Sequence, residues 1–162
     1  MMKFPAQAFL FALCVAAGGS AAWAGQATGV LDVKAKIVAE CKISNLGTLN
    51  FGSIGLTTSN TDTFATFSLQ CTKSTTYHIG INAGLLQNED ASPRIMQGET
   101  DTLTYDLYRD ADRKNQWGKT ANQLSGTGTG DAETITVYGR IPAQTAPKPD
   151  DYEDFCTIVV TY

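Results

Sequence analysis

Residues 28–38 read TGVLDVKAKIV and alternate strictly: Leu31, Val33, Ala35 and Ile37 fall on one face, with Asp32, Lys34 and Lys36 on the other. A period of two is the mark of a half-buried β-strand; a helix would scatter those four apolar side chains around its axis. The same period recurs downstream. Residues 63–71 set Ala65, Phe67, Leu69 and Cys71 against Thr66, Ser68 and Gln70. Residues 76–82 set Tyr77, Ile79 and Ile81 against His78 and Gly80, and residues 102–108 set Leu103, Tyr105 and Leu107 against Thr104 and Asp106. Residues 134–141 carry Ile135, Val137, Gly139 and Ile141 on one side, and residues 155–162 carry Cys156, Ile158, Val160 and Tyr162.

Between these runs lie clusters of Gly, Ser, Thr, Asn, Asp and Pro at 57–62, 87–93, 125–131 and 146–151, the residue types that turn a chain. Short strands with one apolar and one polar face, spaced in this way, predict an all-β antiparallel sandwich or barrel. No helical period, internal repeat or low-complexity tail competes with that reading.

The first 24 residues stand apart. Lys3 supplies a basic start, residues 9–17 (FLFALCVAA) an apolar run, and Ala22-Trp23-Ala24 small residues where a signal peptidase reads. The apolar run is shorter than the ~20 residues that span a bilayer, so residues 1–24 are expected to be a signal peptide cleaved before Gly25. No later segment reads as a membrane anchor. The formal net charge of −4 becomes one unit more negative once Lys3 is removed. An acidic surface argues against nucleic acid or anionic lipid as partner.

Cys14 leaves with the signal peptide, and Cys41, Cys71 and Cys156 remain. In an exported chain this predicts one disulfide and one spare thiol. Three pairings are open; Cys41 with Cys71, both near the start of the domain, is the favoured one. Cys156 reads as a small apolar residue within a strand.

Both ends of the sequence are informative. The sequence closes on Tyr162, the final alternating residue, with no turn after it. At the front, the alternating segment stops at Ile37 or Val38 and Cys41 follows almost at once. With Cys41 tied to Cys71, about three residues, roughly 10 Å of extended chain, join the two. A strand is about 17–20 Å long, so folding the first segment back across its own domain is hard. It is better placed to reach another molecule.

No catalytic or metal-binding constellation emerges. His78 is the only histidine and falls on a polar strand face; a zinc site would need it together with cysteines spent on a disulfide. The GTGTG run at 126–130 lacks the Lys-Ser/Thr ending of a phosphate loop and precedes a strand instead of a helix. Asp110-Ala111-Asp112 begins like a calcium loop, but Lys114, Asn115 and Ala121 stand where a ligand, a bending glycine and a closing glutamate belong. Asp150, Asp151, Glu153 and Asp154 read as a solvated turn, and Trp117 and Tyr108 as packing aromatics. No cofactor is expected and no enzyme is indicated.

Taken together, the chain resembles the spore coat protein U domain family, found in subunits of archaic, Csu-type chaperone–usher pili. The marks are TGVLDVKAKIVAEC (28–41), LNFGSI (49–54), FSLQCT (67–72), LTYDLYRDADRKNQWG (103–118), GTGTGD (126–131), TVYGRIPA (136–143) and DYEDFCTIVVTY (151–162). The resemblance implies an incomplete immunoglobulin-like antiparallel β-sandwich, the pilin fold, with an N-terminal donor strand. It divides the chain into a signal peptide (1–24), a donor-strand segment (25–40) and a pilin domain (41–162).

By position, Leu31, Val33, Ala35 and Ile37 would be the donor side chains, with Ala35 smaller than usual. Cys41 and Cys71 match the family's disulfide, and Ile158, Val160 and Tyr162 would form the final strand at the acceptor groove. Implied partners are other pilus subunits in a homo- or hetero-polymer, a periplasmic chaperone and an outer-membrane usher, with no membrane insertion. Implied localisation is export through the periplasm to an extracellular pilus supporting adhesion and biofilm formation. The alternative is a secreted adhesin, or a coat or matrix protein, binding a glycan or surface.

Overall fold

The structure, a computed structural model, describes residues 24–88 and 90–162. All of the segment expected to be a signal peptide, except Ala24, lies outside the described residues. The chain divides into two units, one ending at Ala35 and one running from Lys36 to Tyr162. In the first, residues 24–35 carry no regular secondary structure, and Val30, Leu31 and Val33 are exposed. The strand expected over 28–38 therefore does not form here. Alternation gives a segment one apolar face, but strand geometry persists only where a neighbour accepts its backbone hydrogen bonds.

Among the described residues the second unit holds eight strands: β1 (Cys41–Ser44), β2 (Thr61–Cys71), β3 (Thr76–Ile81), β4 (Arg94–Gln97), β5 (Thr102–Tyr108), β6 (Leu124–Thr127), β7 (Ala132–Ile141) and β8 (Ile158–Thr161). They form a five-stranded sheet in the order β1-β2-β7-β5-β4 and a three-stranded sheet in the order β6-β3-β8. Every pairing is antiparallel. The longest ladder runs from Thr61 opposite Ile141 to Gln70 opposite Ala132. Its inward residues Phe67, Leu69, Ile135, Val137 and Ile141 are buried, together with Tyr77, Ile79 and Ile81 from the other sheet. The two inner faces thus share one core, as a sandwich requires.

β1, β4 and β6 are too short to show a period. β6 occupies part of the 125–131 cluster read above as a turn, and Gly126 is the reason it fits: a Cβ there would collide with the Tyr77 ring. The last strand is shorter than expected, and Cys156 precedes it instead of lying within it.

Asp106 is also not on a solvent face. It is buried beside Arg94, whose Nη1 donates to its Oδ1 at 3.1 Å. Trp117 is buried too, its indole N–H donating to the Ile79 carbonyl at 2.9 Å.

Cys41 and Cys71 are joined in a disulfide across the β1–β2 ladder, with Cys156 free. The bond closes a 30-residue separation, which by loop entropy is worth about 3–4 kcal/mol. Replacing both cysteines with Ala is expected to lower the urea midpoint by an amount equivalent to that energy, measured by tryptophan fluorescence. On the outer face Asp62 accepts two hydrogen bonds from Arg140, at 2.7 and 2.8 Å, with Arg113 3.2 Å away. The Arg140 hydrogen bond holds the Asp62 carboxyl below its ordinary value, assisted by the Arg113 charge. A lowered carboxylate stabilises the fold above its unfolded-state pKa, and that contribution disappears as pH falls through the folded value. Asp62→Asn should therefore lower stability at neutral pH and narrow the gap between neutral and acid urea midpoints.

Candidate functional site

Five strands face three, so loops as well as strands close over the inner face of the five. The result is a groove of about 1210 Å³ within the second unit, larger than the ~300–1,000 Å³ typical of a small-molecule pocket. Its floor is apolar: Phe67 from β2, Leu103, Tyr105 and Leu107 from β5, Val137 and Ile141 from β7, and Met96 from β4.

One wall is the β1–β2 connection, residues 46–55. Leu49 and Phe51 turn inward, and Phe51 meets the Tyr105 ring edge-on at 6.5 Å. Gly139 makes this approach possible, since a Cβ there would lie 2.8 Å from Leu49 Cδ2 and 2.9 Å from Phe51 Cζ. Little of this wall is tied down by backbone; Gly47 N–H donates to the Thr66 carbonyl at 2.9 Å.

The opposite wall is residues 147–156, leading into Ile158 of β8. This stretch changes sheets. Glu153 exchanges both backbone hydrogen bonds with Gln97 of β4, whereas residues 158–161 pair with β3. Tyr152, Asp154, Cys156 and Ile158 are partly buried, and the intervening Glu153, Phe155 and Thr157 are exposed. β8 is the outer strand of its sheet, so one edge of its backbone has no ladder partner.

A polar cluster interrupts the apolar lining. Tyr105 donates its hydroxyl proton to Asp154 Oδ2 at 2.6 Å and lies 3.1 Å from Cys156 Sγ. Burial pushes the Tyr105 phenol far above its ordinary value, with Cys156 and Asp154 adding to the effect. Burial likewise raises the Cys156 thiol, partly offset by the Tyr105 hydrogen bond and by Arg94.

The residues singled out from sequence are distributed as follows. Ile158 lines the groove; Val160 packs against the core, and Tyr162 is exposed beyond the end of β8. Ile37 is exposed near the start of the second unit. Val38 and Glu40 are fastened to the end of β2: Thr72 Oγ1 donates to the Val38 carbonyl at 3.1 Å, and Thr72 N–H to the Glu40 carbonyl at 2.9 Å. His78 is exposed, with Nδ1 2.8 Å from Ser125 Oγ. Asp110 caps a turn, accepting from the backbone N–H groups of Lys114 and Asn115. Among the described residues, no group of three or more His, Cys, Asp or Glu is placed to hold a metal ion.

Sequence reasoning missed the Leu49–Phe51 wall, although their two-residue spacing was a usable signal. It also read Asp154 as a solvated turn acid, whereas the carboxylate is held by Tyr105 and by the Leu85 N–H at 2.9 Å.

This arrangement suits an extended polypeptide: an apolar floor for alternate side chains, beside a strand edge offering unmet backbone donors and acceptors. Cys156 is a built-in reporter of the groove. Because its thiolate is disfavoured, maleimide labelling should be slower than for an exposed thiol at neutral pH and should accelerate steeply in alkali; mass spectrometry of the labelled chain measures both.

Comparison with known proteins places this geometry. The family described as Spore Coat Protein U domain matches residues 27–161. Protein U of Myxococcus xanthus is 31% identical over 159 residues, covering 88% of this chain and 89% of its own. Among solved structures, a chain of the CsuC–CsuE chaperone–tip adhesion subunit pre-assembly complex, from the archaic chaperone–usher Csu pili of Acinetobacter baumannii, superposes with a TM-score of 0.55 at 18% identity. That superposition covers 78% of this chain, which spans 40% of the solved chain's length.

Proposed function

We propose, from the premise that this chain belongs to the spore coat protein U domain family, that it is a structural subunit of a chaperone–usher pilus polymerising by donor-strand complementation. The observation that carries this reading is the apolar groove bordered by the unpaired edge of β8. The occupant is residues 25–40 of a neighbouring subunit, where Leu31, Val33 and Ile37 are 80–86% exposed and lack any ladder. Strand addition to an open sheet edge is an established recognition mode, with pilins among its known examples.

The energetics agree. Burying Leu31, Val33 and Ile37 in a neighbour's groove is worth about 5–9 kcal/mol, and each backbone hydrogen bond formed at the open edge adds about 0.5–1.5 kcal/mol. Ala35 contributes less and leaves room above the floor. Until it is filled, the groove exposes apolar surface and an unpaired edge, both of which favour aggregation. A periplasmic chaperone occupying the groove during export, and an outer-membrane usher exchanging it for the next subunit's segment, follow from that need. The Csu pre-assembly complex supports the chaperone's part. On this reading the chain crosses the periplasm, forms an extracellular pilus serving adhesion and biofilm formation, and performs no catalysis. Residues 1–24 are its signal peptide and residues 41–162 its pilin domain.

The family's description also favours a second reading, a coat or matrix protein built by the same strand exchange. Cell fractionation with electron microscopy separates the two: surface fibres support the pilus, and assembly confined to a coat layer supports the alternative.

A charge in the donor segment tests strand exchange itself. Leu31→Asp places a carboxylate in an apolar groove, at a cost of several kcal/mol. It should cut fibre yield at least about tenfold while leaving the fold of the free subunit unchanged. Deleting residues 25–38 should leave a subunit that accepts a strand and cannot donate one. Normal fibre growth by that deletion would refute the proposal.

A further inference from the structure

The groove wall at residues 154–158 is held in an unusual way. Beyond Ile158, which lies opposite Ile81, it keeps one more backbone hydrogen bond, at Thr157, and is next backbone-paired at Glu153 opposite Gln97. At Thr157 a side chain reinforces that backbone contact. Asn82, the residue after β3, holds Thr157 from both sides: its N–H donates to the Thr157 carbonyl at 3.1 Å, and its Oδ1 accepts from the Thr157 N–H at 2.7 Å. The same Oδ1 accepts from Gly84 N–H at 3.3 Å, fixing the turn that follows β3.

Asn82 is itself anchored. Arg94, 2% exposed, spends its guanidinium on backbone: Nε donates to the Asn82 carbonyl at 3.0 Å, and Nη2 to the carbonyls of Ile81 at 3.0 Å and Trp117 at 2.6 Å. Its remaining nitrogen pairs with Asp106, whose Oδ2 accepts from Ser92 Oγ at 2.7 Å and Gln116 Nε2 at 2.8 Å. Each guanidinium nitrogen of Arg94 and each carboxylate oxygen of Asp106 has a hydrogen-bond partner, which favours one geometry for a buried ion pair. It sits where the wall crosses from one sheet to the other.

We propose that Asn82, anchored by the Arg94–Asp106 pair, is a positioning residue that holds residues 154–158 in strand-accepting geometry before a strand arrives. The inference rests on the donor-strand reading of the groove and adds the device that keeps its edge preformed. An extended wall already in register spares the incoming segment the cost of ordering it, so the effect falls on the rate of strand capture.

The test uses the full chain without its signal peptide and a fluorescent synthetic peptide of residues 28–38. Asn82→Ala should slow peptide association about tenfold, the equivalent of one lost hydrogen bond, and should expose the Thr157 amide to hydrogen exchange. Asn82→Asp keeps the accepting oxygen and should restore both, a rescue that simple loss of bulk would not predict. Capture by Asn82→Ala at the wild-type rate, or equal slowing in both variants, overturns the proposal.

The wild-type chain guards against a variant that does not fold. Its Thr157 amide must be protected in the strand-free state, and unprotected exchange there overturns the proposal without any substitution. A wild-type chain that captures no peptide, yet keeps Thr157 protected, overturns the donor-strand reading and this inference with it. A failure of the positioning step alone has a different signature, because capture then persists.

Discussion

An apolar sheet face must be covered, and here three strands and two long connections share the cover of five. Five strands present Phe67, Leu103, Leu107, Val137 and Ile141 inward, while the opposing sheet offers three strands and stops at β8. Much of the chain's local detail follows from that mismatch. The 46–55 connection is drawn over the gap from one side, pressing Leu49 and Phe51 onto Gly139. The 147–158 stretch closes in from the other, changing sheets as it goes. Neither meets the other, and what remains between them is the groove.

A gap of this kind puts two demands on a fold. The groove must not collapse, because collapse would cost the inner face its ordered packing. The edge must also stay extended without the ladder that normally enforces it. Cross-sheet polar contacts answer the second demand. The Arg94 guanidinium binds carbonyls from residues 81, 82 and 117, and Tyr105 reaches across to Asp154. Placing a charge pair in a β-sandwich core is costly unless its polar atoms are hydrogen-bonded, and here each guanidinium nitrogen and each carboxylate oxygen has a partner. The polar groups in this core belong to the open edge.

The two units fit the same logic from opposite sides. The body has a groove with an apolar floor, and the segment before Lys36 has a strand's alternation without a sheet. Membership of the spore coat protein U domain family and the structural likeness to a Csu pre-assembly complex chain agree with a body of this architecture. On the proposed reading, specificity lies in how the apolar residues at 31, 33, 35 and 37 match the groove floor. The smallness of Ala35 and the polar Tyr105–Asp154–Cys156 cluster then both bear on that match.

Residue order alone determined the all-β class, the inward sets of β2, β3 and β7, and most turns, because alternation and turn chemistry are local properties of a few neighbouring residues. It also read residues 28–38 as a strand, which does not form here, because strand geometry needs a backbone partner that alternation alone does not supply. Tertiary structure decided the rest. Arg94 and Asp106 look like surface charges until contacts from residues 81, 82, 92, 116 and 117 surround them. Cys156 and Asp154 become groove residues only because Tyr105, some fifty positions earlier, lies beneath them. No short-range pattern encodes such contacts: a groove is a shortage of cover, and a shortage exists only once both sheets have been assembled.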